Sequence, residues 1–524
     1  MASRSFKHAK VFLGTGEADF AEAFTVTDGT FSWVGATADA PDDAFDLGGA
    51  TVLPGLLDVH LHPALLAELA DSVDLLPPGV GSVAALVERL RLHPNLGGGP
   101  DDWVEGFGYT EARYPEGGPT RHDLDRVSTT QPVVARRADV HTAVVNSFVL
   151  ERAGITRDTP DPEGARFDRF PDGEPNGVLC ELPAIERVYA RRPAPTADDW
   201  VKRLVKVSDR LLRLGITTVD DMLASVIPGC LAVYRRAELA GYRPRTGLFL
   251  LWPPEGLPEL TDADRTGRVR VAGVKLLLDG AFSNRTAWTK DPYPGTCAHG
   301  LRTATSEQTR DAVAWARRNG VQAALHAMGD AAIAEIVDTF ADEEPWLEGR
   351  PSITIQHATL FSPEMIDKVK RARMRFGVIS HTIFFFAEWD AYEANLSEAQ
   401  FRIAYPIKDF YEQLPSTALA SDAPATAWSG CENVFWSVKA AVLRRSYSGA
   451  DLNQAQAITV GQALELYTGR AARVTTAAGV GTIEVGREGS FVVLDADPFT
   501  LPPEHLDRVG VVATWVAGEP AWAR

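Results

Sequence analysis

The sequence predicts an α/β protein with a βα-patterned middle and a small β module shared by its two ends. Three observations carry that reading. Strand-like alternation is confined to the termini, the middle repeats helix, glycine and short apolar strand, and ionisable residues stand at the downstream ends of those central strands. The first fifty residues open the argument. Residues 24–27, the dipeptide Asp28-Gly29 and residues 30–34 form a hairpin whose turn tolerates positive φ. The C-terminus reads the same way over 481–486, 490–494 and 509–516. Neither end alone has enough strands to bury a face, so the two are expected to pair.

The middle changes period. Over 200–214, Val201, Leu204, Val205, Val207, Leu211 and Leu212 fall on one helical stripe, and Gly215 stops it before the strand 216–219. A second helix over 305–319 opens on Thr305 and Gln308 at capping-box spacing, stops at Gly320 and feeds the strand 321–325. A third opens on Ser362-Pro363-Glu364 and leads to the strand 375–379. This pattern implies a parallel sheet. Residues 77–198 interrupt it with Pro/Gly-rich stretches and read as a long insertion between early barrel strands, a lid or a wall of the site.

Composition narrows the function classes. The 524 residues are 45% apolar and 9% aromatic, ordinary for a packed protein, and 52 Lys+Arg against 70 Asp+Glu leave a net charge of −18. That charge argues against nucleic acid as partner, because phosphate affinity comes from clustered Lys and Arg. The four cysteines are too scattered for a zinc ribbon or disulfide framework and read as small buried thiols. No window approaches the ~20 consecutive apolar residues of a membrane helix, and the N-terminus carries no apolar run of signal-peptide length. No membrane association and a cytoplasmic location are the expectations.

The chemistry lies at the strand ends. Residues 52–59 run into His60 and His62, residues 323–325 into His326, residues 353–356 into His357, residues 417–421 into Asp422, and residues 271–274 into Lys275. In a βα barrel such ends converge on one face, where catalysis is done. His60 and His62, two apart in a strand, point the same way and can reach one ion. Several imidazoles plus a carboxylate suit Zn²⁺, with Mn²⁺, Fe²⁺ or Co²⁺ as alternatives. The ion would lower the pKa of its water from ~15.7 toward ~7, and Asp422 would hold that water and pass its proton to a leaving group. A lysine on a buried strand must lose or pair its charge. Lys275 is therefore either a neutral amine able to become a metal-bridging carbamate or a salt-bridged lysine.

These residues resemble the amidohydrolase superfamily, specifically its amidohydrolase-3 branch of YtcJ-like and N-substituted formamide deformylase-like proteins. The likeness begins with Leu53-Pro-Gly-Leu-Leu-Asp-Val-His-Leu-His62. It continues through Pro132-Val-Val-Ala-Arg-Arg-Ala-Asp-Val-His141, Gly173-Glu-Pro-Asn-Gly-Val-Leu-Cys-Glu181 and Gly273-Val-Lys-Leu-Leu-Leu-Asp-Gly280 with Arg285-Thr-Ala287. His326-Ala-Met-Gly-Asp330, Gln356-His357-Ala358 and Ala420-Ser-Asp-Ala-Pro424 complete it. The resemblance implies a distorted (β/α)8 TIM barrel over 55–469, carrying the insertion, and a composite β-sandwich from 1–54 and 470–524. It implies metal ligands His60, His62, His326, His357 and Asp422, with Lys275 as a carboxylated bridge. One or two Zn²⁺ ions follow: an inner one on His60, His62, Lys275 and Asp422, an outer one on Lys275, His326 and His357.

The expected reaction is metal-dependent hydrolysis of a C–N bond, an amide or an N-formyl or N-acyl amine, in a small molecule. An ester or carbamate hydrolase, or a deaminase, on the same centre is the alternative; the intact set His60, His62, His326, His357 and Asp422 argues against a non-catalytic ligand-binding barrel. Asp422, Lys275 and His381 are the expected catalytic residues, with His381 or His141 as hydrogen-bond donor to the oxyanion. His141, Glu181, Phe385, Trp389 and Trp428 are the expected substrate contacts. Two departures from the branch stand out: Gln356 where Glu is frequent, and Ile379-Ser-His-Thr382 where the seventh strand often ends in a Gln-Pro-x-His-like run. His8, His93, His122, His299 and His505 are expected at the surface. Barrels of this kind often pair, so a homodimer is one candidate assembly, though the sequence does not reveal the oligomer.

Overall fold

Eight short apolar segments become one parallel sheet in the computed structural model. They are β1 (Leu56–Leu61), β2 (Ile216–Asp221), β3 (Arg245–Leu251), β4 (Val269–Leu277), β5 (Gln322–Ala327), β6 (Ile353–His357), β7 (Phe376–Ser380) and β8 (Thr417–Leu419). Each strand is hydrogen-bonded to the next in that order. Apart from the ends of β3 and β4 they are almost wholly buried, the expected state of strands covered on both faces. The structure describes residues 3–524 except 112, 113, 139, 141, 163, 164 and 254.

Helices alternate with the strands where the sequence predicts them. The helix Ala197–Arg213 precedes β2, and Gly215 follows at φ 79°, where an added Cβ would sit 2.8 Å from Val492. The helix Ser306–Asn319 starts on Thr305, whose side chain and that of Gln308 cap each other's backbone N–H groups, an arrangement worth about 1 kcal/mol. The helix Pro363–Arg371 is capped by Ser362 with proline at its first position.

No strand ladder joins β8 to β1 among the described residues. The gap is spanned by local hydrogen bonds instead. Asp422 N–H donates to the His60 carbonyl at 2.9 Å and His62 N–H to the Ala423 carbonyl at 2.9 Å. The Ser421 N–H reaches both Asp58 carboxylate oxygens at 3.3 Å. Burial pushes the Asp58 carboxyl up to about 7 against the opposing hydrogen bonds of Ser421 and His60. The seam between first and last strand is thus stitched by the residues that flank the candidate ligands.

The termini build two sheets. One holds Ser3–Lys7, Ala23–Thr27, Thr30–Gly35 and Phe45–Asp46. The other mixes both ends of the chain: Lys10–Phe12, Phe20–Ala21 and Thr51–Pro54 with Phe491–Leu494, Val511–Val516 and Glu519–Ala523. Phe491–Leu494 pairs antiparallel with Thr51–Pro54, so the two ends meet in one ladder. A cluster including Phe6, Phe24, Phe31, Val52 and Phe491 fills the interior, with Phe24 and Phe491 rings 4.8 Å apart. One expected strand is absent. Residues 481–486 form no strand, because Gly481 and Gly486 take φ 85° and 86° and break the extended run. A last strand, Glu519–Ala523, was not signalled by the sequence pattern.

The chain divides into two compact units, Met1–Leu65 with Val201–Ala423 and Glu432–Arg524, and Leu66–Trp200 with Pro424–Cys431. The second is a folded body with its own mixed sheet, in the order Arg166–Arg169, Pro175–Cys180, Thr142–Val145, Val133–Arg137, Val104–Tyr109, Val73–Asp74. Two apolar clusters stabilise it, one around Val134, Val145 and Phe167, the other around Leu86, Val104 and Leu124. No helix among the described residues is long and apolar enough to cross a membrane. Of the four free thiols, Cys230 and Cys431 are buried, but Cys180 is half-buried and Cys297 exposed, correcting the expectation of four buried ones. His93 likewise departs from its expected surface position: it is 4% exposed and its Nδ1 accepts the Asn95 N–H at 3.1 Å.

Candidate metal centre

The downstream strand ends place their ionisable side chains within one buried cluster. His60 lies at the end of β1 with His62 just beyond it, Lys275 lies on β4, His326 near the end of β5, and His357 ends β6. His381 follows β7 and Asp422 follows β8. The nitrogens of His60 and His62 and an oxygen of Asp422 lie within 4.8 Å of one another, as do nitrogens of His60, His357 and His381. The His326 and His357 ring centroids are 4.2 Å apart, and those of His357 and His60 are 4.7 Å apart. His357 at φ 71° and Asp422 at φ 55° sit in the left-handed region. Such backbone costs about 1–3 kcal/mol per residue and persists where surrounding structure enforces it.

Hydrogen bonds fix which ring nitrogens carry lone pairs. His60 Nδ1 is 2.6 Å from Gln356 Oε1, and Gln356 Nε2 donates to Thr354 Oγ1 at 2.8 Å. With Nδ1–H donating, the His60 Nε2 lone pair faces Asp422 Oδ1 at 3.2 Å. His62 Nε2 is 2.6 Å from the same oxygen. A lone pair and a carboxylate oxygen repel at that distance, so a proton or a cation must stand between them. His326 Nε2 donates to the Gly280 carbonyl at 3.1 Å, leaving Nδ1 as that ring's lone-pair nitrogen. His62 Nδ1, His357 Nδ1, His381 Nε2 and Lys275 Nζ are buried and have no hydrogen-bond partner. Orphaned buried donors and acceptors of this density are costly unless a ligand satisfies them.

The electrostatics agree. Burial pulls the His60 and His357 imidazoles well below their ordinary value, helped for His60 by the Lys275 charge and for His357 by its imidazole neighbours. Burial lowers Lys275 to about 7, opposed by the Asp422 charge. Burial acts to raise Asp422, yet His60 and His62 beside it hold it well below the usual carboxylate range. At neutral pH His60 and His357 therefore offer neutral imidazole lone pairs beside one carboxylate, donors of the kind a borderline divalent cation takes.

Three expected roles need revision. The His381 Nδ1–H donates to the Ala420 carbonyl at 3.0 Å, and burial holds the ring neutral by lowering it to about 4. Its Nε2 is then an acceptor, which corrects the expectation that His381 donates to an oxyanion. Phe385 is fully buried, its ring packed against Trp389, Tyr392, Phe401 and Tyr405, so it fills the helix packing rather than contacting a ligand. Trp389 is half-buried with its ring on Phe385 and Phe401, which assigns it to the same packing. The neighbouring Phe384 is the aromatic that reaches the cluster, lying 5.1 Å from His381 and 5.9 Å from His357 in near-parallel stacking.

Glu181 and Trp428 belong to the second unit. Glu181 is exposed at φ 70° ahead of the helix Leu182–Tyr189, and Trp428 is buried in the 424–431 turn. His141 lies outside the described residues. Asp279, quoted in the Gly273–Gly280 motif but given no site role there, accepts the Met328, Gly329 and Trp288 N–H groups and lies 3.3 Å from His326 Nε2. Asp58 could have been found from its i, i+2, i+4 spacing with His60 and His62.

Parallel strands carrying a buried ring of imidazoles around one carboxylate define a barrel hydrolase. The chain belongs to the amidohydrolase family, whose model matches residues 43–521. It is 27% identical over 526 residues to N-substituted formamide deformylase of Arthrobacter pascens, covering 95% of this chain and 94% of that protein. It is 28% identical over 534 residues to the YtcJ protein of Bacillus subtilis (strain 168), covering 96% of each. Among solved structures, an uncharacterized metal-dependent hydrolase from Pyrococcus horikoshii OT3 shares the fold. Its TM-score is 0.76 at 24% identity, over 96% of this chain and 99% of that one.

Gln356 fixes the His60 ring through a single amide oxygen, and partners of this kind commonly govern metal affinity. Gln356→Ala is expected to weaken metal binding about 10- to 100-fold while the fold persists, measured by chelator competition. Affinity within twofold of the unaltered protein would remove Gln356 from that role.

Proposed function

We propose that this protein is a metal-dependent hydrolase that cleaves an amide bond, with N-formyl or N-acyl amines as its substrate class. The single observation that carries the reading is the buried convergence of His60, His62, His357, His381 and Asp422, with an unpartnered Lys275 beside them. The likeness to a formamide deformylase over nearly the whole chain supports the choice of bond. His60, His62, His326, His357 and Asp422 would hold the ion, with Lys275 able as a carbamate to bridge two. Zn²⁺ is the ion this donor set suits, and Mn²⁺, Fe²⁺ or Co²⁺ could replace it. Bound there, the ion supplies a hydroxide nucleophile at neutral pH and polarises the scissile carbonyl.

The chain's own residues do the rest. Asp422 Oδ1 takes the proton of the attacking water and returns it to the departing amine. Gln356 keeps the His60 Nε2 lone pair turned inward. His381 Nε2, an acceptor, orients a water or a substrate N–H. The Phe384 ring excludes bulk water from one side, which strengthens every charge interaction inside. In this reading residues 55–469 carry the chemistry, and residues 1–54 and 470–524 form the composite sandwich.

The test is a screen of N-formyl and N-acyl amines against matched esters with metal-replete enzyme, repeated after chelation. Amides should turn over faster than esters, chelation should abolish activity, and Zn²⁺ should restore it. Faster ester cleavage, or full activity without metal, would overturn the proposal.

A further inference from the structure

A cavity of about 250 Å³ away from the imidazole cluster is lined by three arginines, Arg350, Arg473 and Arg487. One carboxylate, Glu484, shares the wall, so the cavity carries two net positive charges in a chain of net charge −18. Among the described residues Glu484 pairs only with Arg487, and loosely, at 3.8 Å. Arg350 donates to the carbonyls of Ala472 and Thr475, and among the described residues neither it nor Arg473 has a carboxylate at ion-pair distance. Burial lowers the Arg350 guanidinium below its ordinary value, the Asp220 carboxylate opposes that, and the like charge of Arg487 adds to it. Arg473 is exposed and feels the Glu465 charge from outside the cavity, but the wall itself holds three arginines against one carboxylate, a local excess of positive charge that favours an anion.

The rest of the wall suits an anion too. Thr15 and Thr482 also line the cavity. Gly14, Gly469 and Gly481 bring their backbones so close that an added Cβ would meet a neighbouring carbonyl oxygen at 2.8, 1.9 and 2.7 Å respectively. Glycine is thus required to shape the floor. Planar guanidinium forks match phosphate oxygens in pairs, and a hydroxyl donor completes such a set.

We propose that this cavity binds a phosphate group, presented either as inorganic phosphate or as a small phosphate monoester. The volume exceeds that of a bare phosphate, which leaves room for an organic residue. The site is independent of the hydrolytic reading, because none of its residues belongs to the imidazole cluster.

The experiment is calorimetric titration of the full-length, metal-replete protein with inorganic phosphate, phenyl phosphate and sodium chloride at matched ionic strength. It is repeated on the double variant Arg473→Ala, Arg487→Ala and on Glu484→Gln. Saturable phosphate binding should weaken at least about tenfold in the double variant, the scale of losing charge-assisted hydrogen bonds, with hydrolytic turnover unchanged. Glu484→Gln should tighten it, because Arg487 loses its internal competitor. Tighter binding of phenyl phosphate than of phosphate would identify a monoester as the ligand, and the reverse order would identify the free ion. Absence of saturable binding, an equal response to chloride, or binding undiminished in the double variant would overturn the proposal.

Discussion

Asp422→Asn is expected to reduce kcat by about 10²–10⁴-fold, the usual contribution of a positioned general base, while leaving metal bound. The substitution isolates the chemistry unusually well. Asparagine matches the aspartate in size and tolerates the left-handed φ of 55° that this position imposes. The side-chain oxygen can still face His62 Nε2 and His60 Nε2, now 2.6 and 3.2 Å away. What disappears is the negative charge and with it the capacity to accept a proton. Turnover on the substrate found in the amide screen, together with metal content by elemental analysis, gives the readout. A kcat within tenfold of the unaltered enzyme, with metal retained, would show that another group moves the proton. Loss of metal with loss of activity would make Asp422 a ligand foremost, and its proton-transfer role would have to be tested through the pH profile.

Most of the barrel was legible because its signals are local and repeated. The glycine stop after the helix Ala197–Arg213, the mutual capping of Thr305 and Gln308, and the Ser362-Pro363 start each depend on a few neighbouring residues. The terminal sheets were legible because strand-rich ends without enough strands must find each other, as Phe491–Leu494 finds Thr51–Pro54. Residues 481–486 misled because Ile483 and Val485 alternate like a strand while two glycines take positive φ. The convergence of strand-end histidines followed from strand direction alone. Ring orientation did not. That His381 spends its N–H on Ala420, and that Phe384 rather than Phe385 meets the imidazoles, depends on how the helix Thr382–Ala387 turns away from β7. Period-based reasoning counts residues along a strand and carries no information on the first turn of the helix that follows it.

Lys275→Met is expected to stabilise the metal-free protein at pH 7 and to abolish its activity. Burial lowers the Lys275 amine from an ordinary 10.5 to about 7, and the nearby Asp422 charge only partly opposes this. The unfolded chain therefore binds this proton throughout the interval from about 7 to 10.5, whereas the folded chain has released it. Stability of the metal-free protein rises with pH across that window, and below it the full penalty remains, on the order of a few kcal/mol. Methionine is similar in length, carries no charge and leaves no unpartnered nitrogen, so it removes both the penalty and the slope. Thermal unfolding in chelator should show the variant above the parent protein at pH 7, with the two curves converging toward pH 10. In the presence of Zn²⁺ and bicarbonate the order should reverse, because only the lysine can take up CO₂ and then hold the ions, and ligands bound to the folded state stabilise it by mass action. A pH-independent difference in chelator would contradict the buried-amine account. Failure of the order to reverse with metal and bicarbonate would remove Lys275 from the metal centre.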